Sequence, residues 1–289
     1  MESAENHINM KKVQDVYYTC FLSYLFISLM LLVVGYLGYS TIIINSGFYF
    51  ALNMILYAVL FIGVKVNSYE FTKEYPYGIG KLHFIFFSLL AVGISFASAI
   101  IIFISVGGMA RGALTYVDSI AVIAHVIAIV SNEMLRRYLK QASVRLNYKR
   151  LLKNSRETYV GLLVSVVAIA CIMLRQLGVV NIEYIGSICI SVVILTTSVI
   201  FLKQAFDGLT DYRSVKPEEV QKVIGSMPDI TEIKGIKTRS IGYETYELDL
   251  ALIVDGAFTV KKVELLEKSI KDKLKKYLPN IKIVMVDFT

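Results

Sequence analysis

No charged residue lies between Asp15 and Lys65, and that interval limits what the chain can fold into more than any other feature. A helix rising 1.5 Å per residue needs about 20 residues to cross a hydrocarbon core of roughly 30 Å, so the interval is long enough to cross twice. The break falls in GYLGYSTIIINSG, where glycines and polar residues interrupt the apolar run. Further apolar segments at about 84–107, 117–136, 158–176 and 181–202 bring the expected spans to six. With 56% hydrophobic residues and a mean hydropathy of +0.61, an ordinary soluble protein is excluded.

The opening MESAENHINMKKVQD is polar and the run after it is long, unlike a signal peptide with its basic start and short apolar core, so the first span is expected to be retained. Cys20, Cys171 and Cys189 fall inside apolar spans without C-x-x-C pairing, which supports neither a disulfide framework nor a thiolate metal site.

Charge sets the expected orientation. Lys11 and Lys12 precede span one, and Lys65, Lys73 and Lys81 follow span two. RRYLKQASVRLNYKRLLK links spans four and five, whereas the opposite loops hold only Arg111 and Arg175 as cations. The positive-inside rule then places both termini in the cytoplasm of a multi-pass inner- or plasma-membrane protein. From Gln204 to the end, 14 basic residues balance 14 acidic ones, so the net charge of +7 lies in the membrane half. Topogenesis and anionic headgroups account for that excess, and no nucleic-acid partner is expected.

After Lys203 the composition becomes that of a soluble domain. KPEEVQKVIGSM opens a helix with Pro217 and two glutamates. TEIKGIKTRSIG and YETYELDLALIVD read as strands, with Tyr246, Leu248, Leu250 and Leu252 on one face. Val263, Leu266, Ile270 and Leu274 recur at helical spacing, and IKIVMVDF ends the chain as a strand. The expected organisation is a segment 1–15, a six-helix transmembrane domain 16–203 and an αββαβ domain 204–289. A domain of about 80 residues is marginal alone and gains from pairing.

Six spans, a basic link between spans four and five and an αββαβ tail resemble the cation diffusion facilitator family. Tyr75–Lys81, YPYGIGK, is similar to that family's (H/Y)-P-(Y/F)-G-H-G-K signature, and FDGLTD, MPDITEIKGIKTRSIG and LPNIKIVMVD extend the likeness into the tail. The heptapeptide is not a phosphate loop, which needs a glycine at Tyr75 and a hydroxyl at Leu82. The resemblance implies a homodimer in which the signature lysine, Lys81, pairs with an aspartate just after span six, matched by motif to Asp207. On the residues alone, the same stretch also reads as a tight turn whose lysine marks the inside.

The family resemblance further implies metal ligands in H/D-x-x-x-D pairs on spans two and five, since residues four apart share a helix face. In NSGFYFALN the ligand positions hold Tyr49 and Asn53, with Asn45 and Ser46 one turn earlier; in KNSRETYVG the best match gives Ser155 and Tyr159, and an offset of two gives Lys153 and Glu157. Neutral hydroxyls and amides hold zinc poorly, so the expected site is degenerate: no tight zinc, no cofactor, at most a weakly bound cation. Asn45, Ser46, Tyr49 and Asn53 still occupy an arc of about 100° on an ideal helix. Two readings fit that polar face: interhelical hydrogen bonding, or a remodelled substrate path. His125, mid-span, reads as a proton-active group or as a hydrogen-bonded core histidine. Asp118, Glu133, Glu157 and Glu183 fall near span ends and read as interfacial, Glu157 being best placed to face the site; His83 is expected at headgroup level. The tail has no histidine, and Glu264 and Met285 stand where the family often places extra ligands.

The resulting expectation is a cation transporter working by alternating access with proton exchange, its ion unspecified. The alternative is a non-transporting scaffold, partner subunit or regulator that keeps the fold. With no nucleophile–base set and no cofactor loop, an enzyme is not expected.

Overall fold

A computed structural model describes residues 2–66, 81–111, 119–225, 227–242, 245–278 and 281–288. The chain forms two compact units: one of Met1–Val64 with Phe86–Lys203, the other of Lys65–Ile85 with Gln204–Thr289. The first six helices are α1 (Glu2–Leu37), α2 (Thr41–Val66), α3 (Leu82–Arg111), α4 (Ser119–Arg145), α5 (Lys149–Gln176) and α6 (Ile182–Leu209). Each contains a stretch long and apolar enough to span a bilayer.

Helices α1 and α2 form the expected hairpin, turning at Gly38–Ser40 with Tyr39 in the left-handed region at φ 51°. Ser40 starts α2: its carbonyl accepts from Ile44 N at 3.1 Å and its hydroxyl from Ile43 N at 3.4 Å. The two helices approach so closely that a Cβ on Gly35 would lie 2.7 Å from Ile44 N, and one on Gly47 2.8 Å from Leu32 Cγ. Only glycine fits either place.

The link between α4 and α5 departs from expectation. RRYLKQASVRLNYKRLLK is helical except at Leu146–Tyr148, because the charged residues of a span's end continue the helix beyond the hydrocarbon. Asn147 takes φ 48° in that turn, and both Tyr148 N and the Ser143 hydroxyl complete it, donating to Ser143 O and Tyr148 O respectively, each at 3.1 Å.

The second unit carries α7 (Pro217–Ile224), β1 (Glu232–Gly242), β2 (Thr245–Ile253), α8 (Val260–Tyr277) and β3 (Ile281–Phe288), the expected αββαβ order. Strand β2 is central, antiparallel to β1 and parallel to β3, with α8 as the crossover that a parallel pair requires. Leu248, Leu250 and Leu252 alternate onto the inner face and pack with Val220 and Ile224 of α7, Leu266, Ile270 and Leu274 of α8, and Val284 of β3. Each such side chain contributes about 1.5–3 kcal/mol when buried.

The outer face of β2 is charged. Glu247, 1% exposed, sits opposite Arg239 of β1, whose Nε donates to Oε2 at 2.6 Å. The carboxylate beside it raises the Arg239 pKa further. Glu247 Oε1 and Asp249 Oδ1 have no hydrogen-bond partner among the described residues.

Candidate functional site

The polar groups inside the membrane helices form two sets. The first joins α2 to α6. Asn45 is fully buried; its amide donates to Ser187 O at 2.6 Å and to the Ser191 hydroxyl at 2.8 Å, while its Oδ1 has no partner among the described residues. The Ser105 hydroxyl of α3 adds a 3.2 Å bond to Ser187. One turn nearer the start of α6, the Ser40 hydroxyl donates to Glu183 at 2.5 Å, and Glu183 is only 1% exposed. Glu183 stands at a span end, as expected, but is enclosed by protein. Its carboxyl group lies in the first turn of α6 and accepts from the hydroxyl of the residue that starts α2.

The second set joins α1, α4 and α5. The Tyr24 hydroxyl donates to Asn132 Oδ1 at 2.8 Å, and Asn132 Nδ2 donates to Thr158 O at 2.7 Å. Gly161 admits this crossing: a Cβ there would lie 2.9 Å from Asn132 Nδ2, 3.2 Å from Phe50 Cε1 and 3.4 Å from Tyr49 Cε1. Sequence reading missed Asn132, although an amide inside a membrane span is the signal that marks such a clasp.

Of the four matched ligand positions, Tyr49 and Ser155 are buried, Asn53 is half-buried and Tyr159 is half exposed. Tyr49 meets the Phe50 ring edge-on at 5.4 Å, and Asn53 donates back to Tyr49 O at 3.0 Å. Ser46 likewise bonds its own helix, donating to Ile42 O at 2.9 Å. The Ser155 hydroxyl donates to Arg136 O of α4 at 3.1 Å, and Tyr159 lies with its ring 5.1 Å from the Arg136 guanidinium. The other register fares no better, because Lys153 and Glu157 are exposed and approach each other at 3.9 Å. Glu157 is half exposed at the margin of the helix packing. The inward pair on α5 is Asn154 and Thr158, at 1% and 4% exposure, continuing the buried face from Leu151 to Gly161. Asn154 Nδ2 has no partner among the described residues.

His125 is fully buried in α4; its Nδ1–H donates to Ala121 O at 3.0 Å and its Nε2 has no described partner. Glu133 bonds Arg136 through both oxygens, at 2.6 and 2.7 Å, and Arg137 at 2.7 Å. The YPYGIG part of the signature and Asp118 lie outside the described residues, as does the side chain of His83. Lys81 is described, and its Nζ lies 2.6 Å from Asp211 rather than from Asp207. Asp211 follows the end of α6 with φ 56°, whereas Asp207, four residues earlier, is still helical and accepts Tyr212 N on its carbonyl at 2.9 Å. No cluster of three or more histidine, cysteine, aspartate or glutamate side chains that could hold a metal occurs among the described residues.

Among the described residues the membrane interior offers mostly hydroxyl and amide groups, with His125 and Glu183 as its buried imidazole and carboxyl side chains. Comparison with known proteins agrees with the architecture. Residues 18–210 match the cation efflux transmembrane domain, and residues 213–288 match the cytoplasmic domain of cation efflux proteins, a dimerisation module. The chain belongs to the cation efflux family. That family, also called the cation diffusion facilitators, comprises transporters rather than enzymes. Relatives of this cation efflux protein include the putative transporter MamV of Paramagnetospirillum magneticum, 21% identical over 78% of this chain and 68% of its own. The magnetosome protein MamB of Magnetospira sp. is 22% identical over 89% and 88%. The uncharacterized transporter MJ0449 of Methanocaldococcus jannaschii is 22% identical over 92% and 94%.

Proposed function

We propose that this cation efflux protein moves a weakly held cation by alternating access, in exchange for protons, along a path of neutral oxygens. It works as a homodimer in a plasma or inner membrane with both termini cytoplasmic, and it uses neither a cofactor nor a tightly bound zinc. The observation that carries this reading is the set of buried polar atoms without described partners: Asn45 Oδ1, His125 Nε2, Asn154 Nδ2 and Ser165 Oγ. An unmade hydrogen bond in an apolar interior costs about 1–3 kcal/mol, a cost that water removes at all four atoms and a passing cation at Asn45 Oδ1, Ser165 Oγ and His125 Nε2. His125, with its free Nε2, can take the counter-moving proton. A weak donor set lets an ion leave as readily as it enters.

Proteoliposomes loaded with a pH-sensitive dye and challenged with Mn²⁺, Fe²⁺, Co²⁺, Zn²⁺ or Mg²⁺ test this directly. Cation uptake with opposite proton movement, abolished by Asn45→Leu and uncoupled by His125→Gln, is expected. Uptake no faster than through protein-free vesicles for every cation would overturn transport and favour the second reading, a non-transporting scaffold, partner subunit or regulator. That reading draws on the closure of Tyr49, Phe50 and Asn132 around Gly161, where not even a methyl group fits without displacement.

A further inference from the structure

We propose that the cytoplasmic end of α4 is a binding site for one anionic phospholipid, with Arg137, Lys140 and Arg145 on its phosphate and the apolar stripe of the same helix along its acyl chains. Ile123, Ile127, Val130 and Met134 are 58%, 40%, 53% and 66% exposed. They recur at alternating spacings of four and three, one face of a helix. From Ile123 to Met134 the rise is roughly 16 Å, about the acyl depth of one leaflet of a 30 Å core. The next positions on that face, Arg137 and Gln141, are exposed and polar. The stripe turns polar where a headgroup would begin.

A groove of about 530 Å³ opens there, lined by Arg136, Arg137, Lys140, Gln141, Val144 and Arg145. Its charge is only partly compensated. Glu133 takes both bonds of Arg136 and the Nε of Arg137, whereas Lys140 and Arg145 have no ion pair among the described residues. Arg136 is committed to Glu133 and Tyr159 and stays outside the proposal. On an ideal helix Arg137, Gln141 and Arg145 fall within about 40° of the stripe and Lys140 flanks it at about 100°, so three cations border one groove. Orienting the chain needs cations on this side of the membrane but does not need them aligned beneath an exposed apolar stripe. Charge on the headgroup and length on the chains both fit a lipid; a soluble phosphate would use only the first.

Delipidated protein, exchanged into detergent and given phosphatidylglycerol or phosphatidylcholine, tests the site by native mass spectrometry. Phosphatidylglycerol should bind at least tenfold more tightly than phosphatidylcholine, and at least tenfold more tightly than glycerophosphoglycerol, which lacks the chains. Each cation near a membrane anion is worth about fivefold, so Arg137→Gln, Lys140→Gln, Arg145→Gln together should weaken phosphatidylglycerol on the order of a hundredfold. Lys149, Arg150 and Lys153 remain to hold the orientation. Equal retention of the two lipids, or unchanged phosphatidylglycerol binding in a triple variant with native helix content, overturns the proposal. Displacement of the lipid by millimolar inorganic phosphate alone would overturn it in favour of a soluble anion. The selectivity measurements on the native protein need no variant to fold.

Discussion

Among the described residues, the buried core behind the three-stranded sheet is valine, isoleucine and leucine, and the buried polar side chain of that unit, Glu247, lies on the other face. The interior of the six membrane helices instead encloses Asn45, His125, Asn132, Asn154, Ser187, Ser191 and Glu183, and several of their polar atoms lack a described partner. The small domain removes apolar area from water, and nearly every buried side chain there adds stability. Inside a bilayer, apolar residues gain nothing comparable by facing one another, so polar groups can be kept for what they bind. Sites that break the local rules of burial are where a protein does its work.

The largest effect should come from cutting the aliphatic core and, beside it, making the membrane interior more apolar. Ile270→Ala, at a fully buried position, should destabilise the small domain by about 3–4 kcal/mol, read as lost hydrogen-exchange protection in α8 and β2. Asn45→Leu should leave α2 and α6 as protected as before while ending cation movement; strong loss of protection in those helices would make Asn45 a structural clasp. Next, Arg239→Ala leaves the Glu247 carboxylate buried without its partner and should cost on the order of 2 kcal/mol, reduced because the arginine is partly exposed. Replacing both by Met and Leu should recover most of that loss. The Arg239 pKa is raised in the folded state, so its contribution is present below the unfolded value and lost only as pH rises through the raised one. Its contribution should therefore be flat across neutral pH; a melting temperature that tracks Arg239 titration between pH 6 and 9 would contradict the assignment.

A comparable effect is expected at Gly161. Its alanine variant pushes a Cβ against Asn132 and Phe50 and should cost about 1–3 kcal/mol, with Asn132→Ala in the same chain relieving part of it; additive losses would place the strain elsewhere. Smallest is the pair of Lys81 with Asp211, whose side chains are 37% and 41% exposed. Its coupling should be under about 1 kcal/mol in a double-mutant cycle, and Asp207→Ala should not couple to Lys81 at all.

The six spans and the αββαβ tail were legible because hydropathy and alternation report them directly, down to Leu248, Leu250 and Leu252 on one face of β2. The site was less so. From Lys153 to Tyr159 nearly every residue is polar, so periodicity offers no contrast, and only burial separates Asn154 and Thr158 from their neighbours. Asp207 and Asp211 are one helical turn apart, and spacing alone cannot choose between them. Glu183 reads as interfacial because it stands near a span end; its enclosure depends on Ser40, 143 residues away in sequence. Hydropathy also ended span four near Arg136, since it detects the bilayer and not the helix, which runs on to Arg145.

The short turn between α4 and α5 has a mechanical meaning. Three residues, closed by two bonds between Ser143 and Tyr148 and backed by the bonds of Ser155 to Arg136 O and of Asn132 to Thr158 O, tie the two helices at several levels. These bonds restrain the two helices against sliding past each other. On the alternating-access reading proposed above, α4 and α5 would swing as one lever, carrying His125, Asn132 and Asn154 through the same arc. A hinge built into this elbow by lengthening the turn should let the two arms slip past each other and blunt any such swing.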